Sequence, residues 1–140
     1  ETTKYSKFKS YGRSKLSNLL FTYELDRRVK ANGINVKVLA AHPGVASTDL
    51  GRYIGSAKWA QPLVKFILKV LPSAYHGSLP EVRASVDLYA KSGEYYGPRT
   101  FFKMSGRTLL TKSSKRSHDL ETAKGLWALS EKLTGVKFTV

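Results

Sequence analysis

Residues 11–44, YGRSKLSNLLFTYELDRRVKANGINVKVLAAHPG, decide the fold, because the apolar period changes within them from helical to extended. Apolar side chains first recur at i, i+3, i+4 and i+7, the spacing of one helix face, which predicts a helix over residues 11–32. The predicted apolar face comprises Leu16, Leu19, Leu20 and Tyr23. The predicted polar face comprises Arg13, Ser17, Glu24 and Arg28. Gly33 follows where a helix commonly ends, because glycine adopts the left-handed conformation without strain.

A β-strand is predicted directly after this helix, over residues 34–41. Apolar and polar residues alternate at its start, and the segment then becomes continuously apolar. Such a run is typical of a strand that enters the buried interior of a parallel sheet. Pro43 and Gly44 end the strand, since proline cannot donate to a ladder and the pair favours a turn.

Two more helices are predicted in the middle of the chain. The first is strongly apolar and covers residues 57–71. The second begins at Ser78 and runs to about Lys91. Ser78 and Glu81 have the capping-box spacing, in which each side chain satisfies a free backbone N–H group.

The last part of the chain is predicted to hold a short strand near Tyr95, bounded by Gly97-Pro98, and a polar surface loop over residues 105–117. A final helix covers residues 120–133 and ends at Gly135. Its predicted buried residues are Leu120, Ala123, Trp127 and Leu133.

The order helix, strand, helix, helix, strand, helix predicts an α/β fold with parallel strands. A parallel sheet needs neighbouring strands and helices on both faces, and two strands alone are marginal. We therefore expect residues 1–140 to be part of a single domain rather than the whole of one.

Composition narrows the classes of function. The 140 residues carry a net charge of +14 and no cysteine, which excludes disulfides, thiolate nucleophiles and cysteine metal sites. The three histidines lack metal-ligand spacing, so no metal is expected. The basic residues are spread along the chain without an RNA-reading motif or zinc-finger spacing, so nucleic-acid binding is not favoured. No secretory signal is visible, and we expect a cytoplasmic protein, with membrane association as an alternative.

Two Tyr-x-x-x-Lys pairs lie near the start of the chain, Tyr5 with Lys9 and Tyr11 with Lys15. Residues four apart share a helix face, and an ammonium beside a phenol favours the phenolate. A tyrosine in this state can exchange a proton with an alcohol or carbonyl oxygen near neutral pH. Spacing alone favours a solvent-facing pair on a basic helix. The first pair precedes the predicted helix, so only Tyr11 and Lys15 are expected to come together.

The segment HPGVAST, residues 42–48, follows the carboxyl end of the predicted buried strand, where open α/β sheets bind ligands. Its turn presents backbone polar groups and Thr48 adds a hydroxyl, a set that suits the carboxamide of a nicotinamide ring. When the segment is considered alone, a simple strand-to-loop turn is the favoured explanation.

These two motifs in this order resemble the carboxyl-terminal half of a short-chain dehydrogenase/reductase, in its retinol-dehydrogenase-like branch. Within this resemblance, YGRSKLSNLLFTYEL is similar to the catalytic helix and AAHPGVASTDL to the loop beside the nicotinamide. GSLPEVRASVDLYA, GEYYGPRTFF and LWALSEKLTGVKF resemble the later helix, strand and terminal helix of the branch. The implied fold is a Rossmann-like, doubly wound parallel sheet, represented here by its C-terminal part.

The resemblance also implies roles for particular residues. Tyr11 is the implied acid/base on the substrate oxygen, and Lys15 lowers the pKa of Tyr11 and binds the nicotinamide ribose. The residues implied to position the nicotinamide of NAD or NADP are Pro43, Gly44, Val45 and Thr48. Residues 57–71 are the implied lid, whose apolar character favours a hydrophobic alcohol or carbonyl substrate. Packing or membrane contact explains that apolar character equally well.

The family's glycine-rich pyrophosphate turn, its Asn-Ala-Gly segment and its catalytic serine have no counterpart in the chain. We therefore expect the isolated chain to be inactive and its partner to be the missing N-terminal half of the domain. The uncovered sheet edge also makes a homo-oligomer a candidate. The alternative function is a basic, non-catalytic module that derives from the same fold and binds a partner or a membrane surface.

Overall fold

A computed structural model describes residues 5–44, 74–98 and 108–139. The chain divides into two compact units. The first comprises Glu1–Ala40, Lys91–Glu94 and Lys112–Val140, and the second comprises Ala41–Ala90 and Tyr95–Thr111. The helix predicted over residues 57–71 lies outside the described residues.

Helix α1, Lys7–Ala31, is the long helix predicted from the apolar period, but it begins before residue 11. Nothing in residues 7–10 stops a helix, and the N–H group of Ser10 donates to the carbonyl of Ser6 at 2.9 Å. Lys9 is therefore helical, contrary to prediction, whereas Tyr5 precedes the helix. The predicted glycine stop is confirmed, since Gly33 has a φ of 65°.

The first unit has its core between α1 and helix α3, Leu120–Thr134. The indole of Trp127 is 3% exposed and stacks on Phe21 at 5.1 Å, which confirms its predicted role in packing. On α1, Leu20 and Tyr23 of the predicted apolar face are buried. Glu24, predicted on the polar face, is buried as well. The period did not reveal this because Glu24 takes ion-pair partners from its own helix, Arg27 and Arg28.

Helix α3 has both predicted ends. Asp119 caps its first turn by accepting the N–H group of Thr122 at 2.7 Å, and Gly135 ends it with a φ of 70°. Its predicted buried face is half right. Ala123 and Trp127 are buried, whereas Leu120 and Leu133 are exposed, because α1 covers the face centred on Trp127.

A 3₁₀ turn, Lys115–His118, precedes α3 in the segment predicted as a loop. The hydroxyl groups of Tyr23 and Ser113 are 2.9 Å apart, and the ring of His118 stacks on Tyr23 at 4.4 Å. These contacts attach the turn to α1.

The described strands form one sheet in the order β1-β2-β3: Ala40–Ala41, Tyr95–Pro98 and Thr108–Leu110. Strand β2 confirms the strand predicted near Tyr95, but it includes Gly97 and Pro98, which the prediction placed at its boundary. Strands β1 and β2 run parallel. The N–H groups of Ala40 and His42 donate to the carbonyls of Glu94 and Tyr96, so the donors and the acceptors follow the same order along the chain. Strand β3 pairs with β2 antiparallel and lies in the predicted loop, so the sheet is mixed.

Strand β1 is shorter than the predicted strand over residues 34–41. Ile34 and Val36 are exposed, with relative accessibilities of 37% and 55%. The ladder begins only where a partner is available, at Val38, whose carbonyl accepts the N–H group of Gly93 at 2.7 Å. Alternation in the sequence could not show where that partner starts.

Helix α2, Ala74–Val86, begins before the predicted capping box and ends before residue 91. Ser78 lies inside the helix and donates its hydroxyl to the carbonyl of Tyr75 at 2.8 Å, so the capping-box prediction is wrong. Arg83 on α2 lies over the ring of buried Tyr96 at 5.6 Å and holds α2 against β2. No helix among the residues described is long and apolar enough to cross a membrane.

Candidate active site

Tyr11 and Lys15 lie one turn apart on α1, as the spacing predicts. The Nζ atom of Lys15 is 5.6 Å from the centre of the Tyr11 ring. Tyr11 is 59% exposed, so the residue lies largely on the surface. Tyr5 precedes the helix and is 76% exposed, so the other Tyr-x-x-x-Lys pair does not share a helix face.

The amino-terminal part of α1, residues 7–15, is exposed at every position. A Cβ atom built on Gly12 would meet no atom within 4 Å in the part of the chain that the structure describes. A phenol and an ammonium on such a surface can both reach an external ligand. Their chemistry fits proton exchange by Tyr11 and hydrogen bonding by Lys15, whose ammonium has three donors.

The carboxyl-terminal part of α1 is fixed by a polar network around buried Asp26. Ser92 donates its hydroxyl to Asp26 at 2.5 Å and accepts the N–H group of Val38 at 2.8 Å. Lys30 donates to Asp26 at 2.7 Å and to the carbonyl of Ser92 at 3.1 Å. Gly93 passes so close that a Cβ atom there would lie 2.9 Å from the Asp26 carboxylate.

This network joins the helix that carries Tyr11 to the segment that leads into β1. Asp26 and Ser92 were missed in the sequence because their positions carry no periodic signal. The only indication of the network in the sequence was Asp26 itself, a polar residue on the inner face of α1.

Glu24 supports the same helix by a second set of contacts. Burial opposes its ionisation, but hydrogen bonds from Arg27 and Arg28 outweigh that effect, so the pKa of Glu24 is below its usual value of 4.5. Arg28 also lies over the Trp127 ring at 4.3 Å and connects the carboxylate to α3.

The predicted nicotinamide turn belongs to the second unit. Gly44 has a φ of 70°, and a Cβ atom there would lie 2.7 Å from Cγ of Pro98, so a side chain would be excluded on both grounds. Its N–H group donates to Nδ1 of His42 at 3.1 Å and is not directed to a ligand. Pro43 is exposed, and Val45 and Thr48 lie outside the described residues.

His42 was not predicted as a site residue, because its only sequence signal is its place before the turn. Its ring packs on Tyr95 at 5.1 Å, between centroids. Burial lowers the pKa of His42 below 6.5, and the carboxylate of Glu81 partly opposes this effect. The neutral imidazole is therefore the dominant form at neutral pH. The described residues hold no group of three side chains suited to a metal ion.

The sequence is similar to those of several known enzymes. It is 34% identical to retinol dehydrogenase 14 of Mus musculus over 135 residues, which cover 94% of this chain and 37% of that protein. It is 32% identical to human retinol dehydrogenase 13, with 98% of this chain and 40% of that protein covered. Short-chain dehydrogenase TIC 32 A, chloroplastic, of Brassica napus is 30% identical, with 93% and 38% covered.

A solved structure supports the fold. The crystal structure of an uncharacterized protein from Mycobacterium paratuberculosis superposes with a TM-score of 0.70 at 33% identity, over 100% of this chain and 44% of that one. No protein-family model matches the chain.

These similarities confirm the resemblance: the chain is homologous to the short-chain dehydrogenases/reductases and has part of their Rossmann-like α/β fold. Retinol dehydrogenases are among its relatives. The chain spans less than half the length of the curated relatives named above.

Proposed function

We propose that the protein carrying this chain is an NAD(P)-dependent oxidoreductase that interconverts an alcohol and a carbonyl compound. The observation that carries the proposal is the ammonium of Lys15, held beside the Tyr11 ring on an exposed helix surface. We assign this chain to the C-terminal part of the domain, with the dinucleotide-binding half contributed by further sequence.

Tyr11 acts as the general acid in reduction and as the general base in oxidation. Its hydroxyl gives a proton to the carbonyl oxygen or takes one from the alcohol. The positive charge of Lys15 stabilises the phenolate that remains after proton donation. When bound, the nicotinamide supplies or accepts the hydride.

The residues present fit a nicotinamide cofactor by their chemistry. Lys15 has donors for the ribose hydroxyls, and the Pro43–Gly44 turn offers a close backbone surface without a side chain at Gly44. Val45 and Thr48 complete the proposed nicotinamide contacts. The substrate is a hydrophobic alcohol or carbonyl compound, a class to which the retinol in the relatives' names belongs.

Replacing Lys15 tests the proposal directly. In the full-length protein, Lys15→Ala is expected to weaken NAD(P) binding about 10–100-fold, because charge-assisted hydrogen bonds are lost. It is expected to lower turnover as well. Calorimetric titration with each dinucleotide measures the first effect, and initial rates measure the second.

Lys9→Ala is the matched control, because Lys9 lies on the same helix and also is exposed. It should change neither quantity by more than a few fold. Equal losses from both substitutions would show that general positive charge, not a site at Lys15, supports binding.

A second expectation concerns the 140 residues expressed alone. They should bind dinucleotide weakly and show no turnover, because they correspond to only 37% of a related dehydrogenase. Steady reduction of a carbonyl compound by the purified 140-residue chain would contradict this expectation. Restored activity after addition of the remaining sequence in trans would support it.

A further inference from the structure

His42 lies where β1 ends and the Pro43–Gly44 turn begins. Its backbone N–H group donates to the carbonyl of Tyr96 at 3.0 Å, which ties it to β2. The imidazole lies against Gly97, where a Cβ atom would be only 2.7 Å from Cδ2 of the ring. The ring is thus held in place by the sheet and occupies space that a side chain at position 97 would need.

The hydrogen bond from Gly44 defines the protonation state of this ring. A backbone N–H group can only donate, so Nδ1 of His42 must be an unprotonated acceptor. A neutral imidazole with Nδ1 free carries its proton on Nε2. The bond spans residues i and i+2, the same span by which an asparagine or aspartate side chain closes a turn.

We propose that His42 is a positioning residue: its neutral imidazole holds the Pro43–Gly44 turn in the shape that receives the nicotinamide, and protonation of Nδ1 releases that turn. The inference rests on the proposed function, because it assigns the turn to nicotinamide binding. The step transfers one proton from solvent to Nδ1 and breaks the hydrogen bond from Gly44. Two N–H groups then face each other, and the turn loses its only side-chain closure among the residues described.

The charged and titratable groups around the ring set the direction of the pH dependence. Glu81 on α2 favours the protonated form, and the phenol of Tyr95 on β2 packs against the ring. Burial is the larger effect and lowers the pKa of His42 from 6.5. The unfolded chain therefore binds the proton more readily than the folded chain does. The stability that neutral His42 gives to the turn is fully present above pH 6.5. It is lost as the pH falls through the lower pKa of the folded state.

Two substitutions separate the hydrogen bond from the ring. His42→Asn keeps an acceptor that can close an i to i+2 turn but does not titrate. His42→Phe keeps a ring on Tyr95 but has no acceptor. Calorimetric titration of the full-length protein with NAD and with NADP, between about pH 8 and about pH 5, gives the dissociation constants.

The unmodified protein is expected to lose affinity as the pH falls through the pKa of His42, which lies below 6.5. His42→Asn should bind with little dependence on pH in this range. His42→Phe should bind about tenfold more weakly even at about pH 8, the effect of one lost hydrogen bond. Circular dichroism confirms that each variant is folded. Affinity of His42→Phe equal to that of the unmodified protein would overturn the inference.

Nitrogen NMR tests the turn without any cofactor. The Gly44 amide resonance should follow the titration of His42 Nδ1, and Glu81→Gln should move the midpoint to lower pH, because the carboxylate raises the pKa. A Gly44 amide resonance that does not shift as His42 titrates would overturn the assigned hydrogen bond. If that resonance follows His42 while no variant binds dinucleotide at any pH, the turn closure stands and the proposed function fails.

Discussion

Tyr11→Phe is expected to remove most turnover of the full-length protein while leaving cofactor affinity nearly unchanged. The substitution deletes only the hydroxyl that exchanges the proton in the proposed function, and a general acid–base group typically contributes about 10²–10⁴-fold to the rate. Folding should not suffer, because the Tyr11 side chain is 59% exposed and contributes little buried surface. The rate of NAD(P)-dependent reduction and the calorimetric dissociation constant are measured side by side.

Tyr5→Phe is the control for that experiment, since it makes the same chemical change in a residue that precedes α1. Its activity should stay within a few fold of the unmodified protein. If Tyr5→Phe is the damaging change and Tyr11→Phe has no effect, the assignment of the catalytic helix is wrong, and every site residue derived from it must be reassigned.

Trp127→Ala is expected to lower the free energy of unfolding by about 3–5 kcal/mol, more than any other substitution proposed for this chain. This is the usual cost of removing a buried tryptophan. The indole is 3% exposed, stacks on Phe21, lies under Arg28 and donates to Glu131 at 3.0 Å. Its removal therefore leaves a cavity between α1 and α3. Urea unfolding followed by circular dichroism measures the change.

Leu129→Ala on the same helix is the matched control, because Leu129 is 51% exposed. It should change the free energy of unfolding by no more than about 0.5 kcal/mol. Trp127→Phe should fall between the two, since it keeps a ring but loses the hydrogen bond to Glu131. A loss below about 1 kcal/mol for Trp127→Ala would contradict the packing described for α1 and α3.

Features with local causes were predicted from the sequence. The turns that follow α1 and α3 depend on Gly33 and Gly135, whose left-handed conformations need no distant partner. The Tyr11–Lys15 contact also follows from helix geometry alone. The order of the Tyr11–Lys15 pair and the Pro43–Gly44 turn then indicated the short-chain dehydrogenases/reductases. Two weak patterns at the right separation are more specific than either alone.

Features that depend on tertiary partners were not predicted. Strand β3 exists because β2 offers its edge, and β1 is short because its ladder partner starts late. Ser78 failed as a cap because α2 extends through it. The roles of Val45 and Thr48, and the helix over residues 57–71, stay predictions.

The two parts of α1 differ in what they contribute, and this difference affects how the helix can evolve. Its carboxyl-terminal part holds the polar network around Asp26 and the packing against Trp127, whereas residues 7–15 are exposed within the described part of the chain. Substitutions toward the carboxyl end change the stability of the fold and therefore the abundance of the protein in cells. Under the proposed function, substitutions near Tyr11 alter chemistry at constant abundance. Under that function, the first turns of α1 can change without loss of the stability that its last turns provide.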